Sequence, residues 1–452
     1  MGVQQIIVVG GGAAGFFAAI AAAEQGVPVT VLEKTSRFLD KVRISGGGRC
    51  NVTHAALDSR DFAARYPRGG KALLAPFQKF SARDTVAWFE TRGVKLKTEA
   101  DGRMFPVTDS SQSIMDCLMT AARRAGVNLR LNAGVECVAK RAGDGFEITL
   151  ARQFSSLSLR EERAGREPER GVADKTHVLS PDLSSGFAGG EGENSAQGET
   201  LICDRLLLAT GGCRAAAAGR LAMSLGHTLQ PPVPSLFTFH IESPWLRSLA
   251  GISVGAVEVS VPPAKLRERG PLLATHWGVS GPAILRLSAW GARSLHGLDY
   301  RFPLLVNWLP EFSAEKITRE FQARREASGA RLVVNVPLEP LPARLWEQLV
   351  LAAGIARDTR WATLTRSQMH ALAQQLARTE FPVTGKSLNQ DEFVTCGGVR
   401  LAEVNFKTME SKVCPGLFFA GELLDIDGVT GGFNFQAAWT TGWLAGQAMA
   451  AK

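Results

Sequence analysis

The stretch Ile6 to Lys34, IIVVGGGAAGFFAAIAAAEQGVPVTVLEK, leaves the chain little choice of fold. Gln5 to Val9 is a short apolar run, the pattern of a strand buried on both faces of a parallel sheet. Gly10, Gly12 and Gly15 follow as G-x-G-x-x-G. Gly10 allows the tight turn, Gly12 lets the backbone approach a pyrophosphate, and Gly15 lets the helix pack closely on the strand. Phe16 to Glu24 is alanine-rich and helical, so its N-terminal amides and positive dipole end face the phosphates. Gly26 stops the helix. Val27 to Leu32 returns as a second strand and ends at Glu33, about 20 residues past the glycines. A carboxylate there accepts hydrogen bonds from ribose hydroxyls and disfavours a 2′-phosphate. The unit therefore binds a dinucleotide, either FAD or NAD.

Length allows more than this one unit. At 452 residues and 45% hydrophobic content, the chain can bury the core of two or three domains. No apolar run approaches the roughly 18 to 20 residues of a bilayer span, and the chain opens almost directly into a strand. The expectation is a cytoplasmic protein with no membrane partner. Seven scattered cysteines, none spaced as C-x-x-C, read as reduced thiols. They exclude a dithiol relay and a zinc cluster, so no metal is expected. A formal charge of +8 reads as a solvated surface rather than a face for RNA, and no nucleic-acid partner is expected.

A second glycine cluster, KVRISGGGRCNVTH from Lys41 to His54, is too glycine-dense for a helix or a central strand. Ser45 to Gly48 can present a run of backbone amides, with Arg43 and Arg49 as cations, which suits a second grip on a pyrophosphate or a flavin edge. Cys50 either lies near that edge or is a buried bystander. Val127 to Lys140 reads as a strand pair. GFEITLA (Gly145 to Ala151) and ETLICDRLLLATGG (Glu199 to Gly212) read as strands of one meander, the latter running into a third glycine turn. Between them, Gln153 to Gly198 has too few large apolar side chains to offset the entropy of ordering, which predicts a long, mobile insertion at a hairpin tip.

Between Leu225 and Thr395 the β-leaning stretches PSLFTFHI, GAVEVSV and YRFPLLVNWL precede a helical run from Ser313 to Arg378. A β-rich subdomain followed by a helical one fits, with the chain then returning to its first domain. The boundaries read as 1–224 and 396–452 for the two parts of the dinucleotide-binding domain, 225–310 for the β-rich part, 311–380 for the helical part and 381–395 for the return strand. THWGVSGPAILRLS sets His276 in a glycine-punctuated turn. His276 is the candidate catalytic residue, able to bind substrate or move a proton; a structurally satisfied histidine is the alternative.

The far end decides between the two dinucleotides. GLFFAGE (Gly416 to Glu422) is a strand ending in a glycine turn. Asp425 and the turn Gly428 to Gly432 then precede an alanine-rich helix that starts near Phe433. NAD alone gives little reason for a second helix N-terminus, nearly 400 residues later, at its site. FAD does, because flavin reduction places negative charge on one ring edge, which amides and a helix dipole stabilise.

With both ends read, the chain resembles the BaiN-like (YhiN-like) family within the two-dinucleotide-binding-domain flavoproteins. The matching pieces are GGGAAG with LEK, ISGGGRCNVT, GRMFPVTDSS, LATGG, THWGVSGPAILRLS, GGVRLAEVNFKTMESK and LFFAGELLDIDGVTGGFNFQAAWTTGWLAG. The resemblance implies an α/β fold: a Rossmann-like, glutathione-reductase-like FAD-binding domain with an inserted β-barrel-like subdomain and a helical subdomain. It carries FAD contacts to Gly10, Gly12, Ala14, Gly15, Glu33, Lys34, Arg43, Gly48, Arg49, Cys50, Asn51, Val135, Gly211, Gly421, Glu422, Asp425, Gly432, Phe433 and Asn434. Ala13, Lys41, Thr210 and Gly212, in the same segments, join them. The polar insertion departs from the family pattern, so nothing carries over between Arg152 and Thr200.

The expected activity is an FAD-dependent oxidoreductase acting on a small-molecule substrate by hydride or two-electron transfer at flavin N5. No second G-x-G-x-x-G holds NAD(P)H in a domain of its own, so oxygen, a quinone or a transiently docked NAD(P)H remain open as redox partners. Two rivals keep the flavin: an RNA-modifying enzyme, and a non-enzymatic redox sensor.

Overall fold

The computed structural model describes residues 4–55, 58–151, 199–213, 216–387 and 394–451. The expected insertion at 153–198 lies outside the described residues, as do positions 388–393 of the expected return strand.

Ile6–Val9 is fully apolar and buried, and it is an interior strand of a seven-stranded sheet. It pairs in parallel with Val29–Leu32 on one side and Arg205–Leu208 on the other. Arg205–Leu208 pairs in parallel with Leu417–Phe419, and Val29–Leu32 with Asn128–Arg130. The chain's first strand and one of its last therefore stand in the same sheet. Residues just beyond four of these strands, Gly10, Glu33, Ala209 and Ala420, line one cleft. Ligands of open α/β sheets bind at that place, outside the carboxyl ends of the strands.

The first helix, Ala13–Ala23, and the last, Phe433–Ala450, cross the sheet together. Their backbones approach so closely that a β-carbon at Gly442 would stand 2.4 Å from the Ala14 carbonyl oxygen, and one at Gly446 would stand 2.3 Å from that of Ala18. Arg205 closes the far end of the last helix by donating to Ala448 O and Met449 O at 2.8 and 2.7 Å. A cation at a helix C-terminus complements both the orphan carbonyls and the dipole.

Two expectations about local structure change. Asn128–Arg130 and Val135–Lys140 do not pair with each other: the first joins the parallel sheet and the second opens an antiparallel meander with Phe146–Leu150 and Thr200–Cys203. The chain turns between them because Asn132 takes a left-handed conformation and the Ala133 amide donates to Glu33 O. Asp40–Gly48 does begin as a helix, which breaks where Ser45 becomes extended and Gly46 and Gly47 turn left-handed.

A two-stranded ribbon, Leu229–Ser235 against Val394–Val399, carries the chain out of the first core and back. Beyond it lies a closed six-stranded barrel, Thr238–Ile241, Gly278–Ser280, Leu266–Thr275, Ser253–Val261, Phe302–Asn307 and Thr379–Ser387 in spatial order. The helices Ala314–Ser328, Ala343–Ala352 and Arg366–Arg378 share its core: Phe321, Trp346, Trp361 and Leu372 cluster with Val257, Leu304 and Phe381 of the strands. Buried Trp308 and Trp346 satisfy their indole N–H groups on Thr379 Oγ1 and Val333 O, as burial requires. Among the described residues no helix is long and apolar enough to cross a membrane, and no group of three His, Cys, Asp or Glu could hold a metal ion.

The helix crossing is the joint that brings the two chain ends together. Gly442→Ala should lower stability by about 2 kcal/mol, the usual cost of overpacking, seen as a lower urea midpoint at unchanged slope. Gly297→Ala, where no atom lies within 4 Å of the added carbon, should leave the midpoint unmoved.

Candidate functional site

The cleft outside the carboxyl ends of the strands has a volume of about 600 Å³, within the range of small-molecule sites. Residues from both ends of the sequence line it. Gly10, Gly12, Ala13, Ala14, Glu33, Lys34, Lys41 and Asn51 come from the start, Thr210 and Gly211 from the middle, and Gly421, Glu422, Gly432 and Asn434 from the end. The Lys41 ammonium reaches Glu422 Oε2 at 2.6 Å, and the other oxygen of Glu422 accepts from the Thr395 amide at 2.7 Å.

One end of the cleft is built for phosphates and a ribose. Glycine is required at Gly10 and Gly15 by the protein itself: a β-carbon would meet Ala209 O at 2.3 Å and Gly10 O at 2.0 Å respectively. At Gly12, Gly47 and Gly211, all in the lining of the cleft, nothing lies within 4 Å of that position, so these glycines leave open space on its wall. Gly12 begins the first helix with no side-chain cap, and the amides of that first turn point at the opening. Opposite, left-handed Gly46 and Gly47 follow Ser45 in a turn suited to anion binding. Glu33 has a larger task than its spacing suggested. Its carboxylate accepts from the Gly11 amide and from the Thr35 amide and hydroxyl, each at 2.9 Å. That fixes the phosphate turn and leaves remaining lone-pair capacity for a ribose hydroxyl.

The other end is apolar, walled by Leu236, Val394, Ile426, Val429 and Phe435. The last helix opens onto it at Gly432, again without a side-chain cap. Thr210, beside the Gly10 turn, also lines the cleft, and among the described residues its buried Oγ1 has no hydrogen-bond partner. With its amide oriented to satisfy the network, Asn51 donates to Thr53 O and accepts from the Gly432 amide, both at 2.9 Å. A two-part cleft of this kind, with two uncapped helix N-termini, an acid for a ribose and an apolar end for a ring system, fits FAD.

The remaining sequence-derived residues stand outside the lining, each for an identifiable reason. Gly15 serves helix-on-strand packing, and Gly212 packs on Thr395 and Glu422. Arg43 pairs with Asp40 at the surface. Arg49 is held by Glu99 and Asp109 and lies 4.0 Å over the Phe105 ring. Gly48 follows the left-handed turn at φ 83°. Cys50 is fully buried and burial pushes its thiol up to about 12, so it is the bystander of the two readings. Val135 opens a strand beside Gly134, which packs on Lys34. Asp425 is bound by Arg293, and Phe433 is buried against His54, Phe62 and Tyr66. Asn434 does border the cleft, and its side chain also braces the turn, donating to Gly428 O at 2.9 Å and accepting from the Gly428 amide at 2.8 Å. His276 is exposed on the two-residue turn between barrel strands.

Sequence reasoning missed Arg37, Arg103, Phe105, Leu236, Val394, Ile426 and Val429 as lining residues. Arg103 and Phe105 sit in GRMFPVTDSS, a matching family piece to which no site residue was assigned, and they lie on the strand Arg103–Pro106. Leu236 and Val394 lie where the chain leaves and re-enters the first core, in apolar runs with no local signature.

A family model described as the HI0933-like protein Rossmann domain matches residues 4–160, and one described as the HI0933-like protein barrel and H2TH domain matches 233–394. The chain is 26% identical to the 3-dehydro-bile acid delta(4,6)-reductase of Clostridium scindens, over 96% of this chain and 95% of that protein. It is 28% identical to the ribosomal RNA dihydrouridine synthase of Escherichia coli, over 94% and 93% of the two chains. Among solved structures, the 3-ketosteroid-delta4-(5alpha)-dehydrogenase from Rhodococcus jostii RHA1 superposes with a TM-score of 0.50 at 14% identity, covering 99% of this chain and 97% of that one. That likeness shows the fold. The two family models together span most of both cores described above, and the chain belongs to the HI0933-like family.

Proposed function

We propose that this FAD-dependent oxidoreductase saturates a ring carbon–carbon double bond of a small, largely apolar substrate. The observation that carries the proposal is the apolar end of the cleft, walled by Leu236, Val394, Ile426 and Val429 at the junction with the inserted barrel, where a substrate laid against the flavin ring would meet the same apolar side chains. The names of the relatives support the direction: one is a delta(4,6)-reductase, and the other makes dihydrouridine. Bound FAD supplies the two-electron chemistry.

The chain's own residues supply the rest. Glu33, the uncapped first turn of the first helix and the Ser45–Gly47 turn hold the adenosine and phosphates. The uncapped N-terminus of the last helix at Gly432 would face a bound ring system and favour negative charge there. The apolar wall excludes water, which strengthens every electrostatic contact inside. A proton must follow the hydride, and the barrel is its source in this reading. The His276–Trp277 turn lies over the barrel strand that starts at Thr238: Trp277 Nε1 reaches Thr238 Oγ1 at 3.4 Å, two residues from Leu236. NADH or NADPH, docked transiently, is the electron source.

A second reading, an RNA substrate, is favoured by the Escherichia coli relative's name and by exposed Arg319, Arg325, Arg331, Arg357 and Arg360 on the helical segment. Interleaved Glu315, Glu320, Glu326, Glu347 and Asp358 dilute that surface, which favours the small molecule.

Two measurements test this. Purified protein should be yellow, and Gly12→Val should purify folded with FAD affinity lowered at least about a hundredfold, because the side chain fills phosphate space. Protein reduced anaerobically with NADPH should regain its visible absorbance on mixing with 4-androstene-3,17-dione, and His276→Ala should slow that step by about 100-fold while leaving reduction by NADPH unchanged. Reoxidation by an unmodified ribosomal RNA transcript and by no enone would establish the second reading instead.

A further inference from the structure

Asp427 has no exposed surface, and the side chain of its partner Arg68 is only 11% exposed. Arg68 Nε donates to Asp427 Oδ1 at 2.6 Å, Nη2 donates to Oδ2, and the two backbones form an antiparallel bridge. The guanidinium then reaches out of the first core. Nη1 donates to Ala289 O at 2.6 Å, near the C-terminal end of the barrel helix Pro282–Trp290, and Nη2 to Ser235 Oγ at 3.3 Å, on the strand entering the barrel. Ser235 in turn donates to Asp427 Oδ2 at 2.7 Å. One arginine thus joins an N-terminal loop, the turn before the last helix and two elements of the inserted unit.

The same loop is fastened to the cleft wall. The Val429 amide donates to Arg65 O at 2.9 Å, and Tyr66 Oη donates to Phe433 O at 2.5 Å. Gly69 lies so near Ile426 that a β-carbon would stand 2.5 Å from its side chain. Ile426 and Val429 line the apolar end, on either side of Asp427. A second, more exposed pair parallels the first: Arg293 Nη2 donates to both oxygens of Asp425 at 2.7 and 2.8 Å. A buried ion pair is weak evidence for stability, because desolvating both charges offsets most of their attraction; what it does supply is a single permitted geometry.

We infer that Arg68 and Asp427 are positioning residues that lock the inserted barrel against the apolar end of the cleft, setting how substrate and solvent reach the flavin. The inference rests on that end receiving the flavin ring. Apolar packing alone would let the ribbon Leu229–Ser235 and Val394–Val399 slide or hinge. The four-way contact ties its Ser235 end to the wall through directional bonds that have no alternative partner in register.

The test uses the full chain with Asp427→Asn, Arg68→Lys and Ser235→Ala, the last removing one hydroxyl and leaving both charges. In the apo-protein, amide exchange across Leu229–Ser235 and Val394–Val399 should quicken by about tenfold in Asp427→Asn, the change expected from losing one charge-assisted hydrogen bond. Arg68→Lys and Ser235→Ala should fall between it and the unsubstituted protein, and exchange in Ile6–Val9 should not change. In the FAD-loaded proteins, iodide quenching of flavin fluorescence should rise in the same order at full FAD occupancy. Unchanged ribbon exchange, or acceleration spread evenly over both cores, would overturn the inference, as would unchanged quenching with FAD retained. Failure of the unsubstituted protein to take up FAD would instead count against the cofactor reading, and the apo exchange result would stand apart from it.

Discussion

Everything at the cleft depends on the contact between the first and last helices. Glycines at 442 and 446 let one backbone rest on the carbonyls of Ala14 and Ala18. Dispersion forces fall off steeply with separation, so a small stripe on both helices is what permits the approach. With it, the phosphate turn after the first strand and the glycine turn before the last helix face one opening. The two helix N-termini then open onto a single cleft, although more than 400 residues separate them in sequence.

The cleft is chemically divided, and the division follows from which elements wall each end. Near Glu33 the walls are turns with free amides and cations such as Lys34 and Arg37. Near Leu236 they are strand ends and the ribbon leading to the barrel, which are apolar because they belong to packed cores. A dinucleotide with a charged middle and an aromatic terminus matches that order. The barrel and its helices form one packed body around Trp308, Trp346 and Trp361, joined to the apolar end through the ribbon Leu229–Ser235 and Val394–Val399.

Local reading succeeded where a residue's task is local. Gly10 and Gly15 are dictated by backbone contacts within one strand–turn–helix unit, so their spacing alone disclosed them. Thr238–Ile241, Ser253–Val261 and Phe302–Asn307 fall largely within the β-leaning stretches PSLFTFHI, GAVEVSV and YRFPLLVNWL, and the start of the last helix at Phe433 followed from its alanine-rich composition after a glycine turn. It fell short where a residue's partner is distant. Asn434 looked like a ligand contact because it is polar and sits in a glycine-rich turn; it does border the cleft, but the sequence did not disclose that its amide also braces Gly428. Asp425 looked the same, and it pairs with Arg293 from the barrel side. Arg49 looked like a phosphate cation and is neutralised by Glu99 and Asp109. In each case charge or polarity was visible in the sequence but its compensation was not.

The sequence by itself therefore determined the dinucleotide unit, the strand and helix content of the inserted parts, and the flavin as the ligand that needs both chain ends. Those conclusions rest on periodicity and on glycine sterics, which act over a few residues. Only the tertiary structure decided which polar groups remain free to meet a ligand. It also decided that Leu236 and Val394 form a wall, and that Arg68 and Asp427 fasten the barrel to the cleft. Burial, pairing and pocket shape arise where segments hundreds of residues apart come into contact, and no local pattern encodes which partner a side chain will find there.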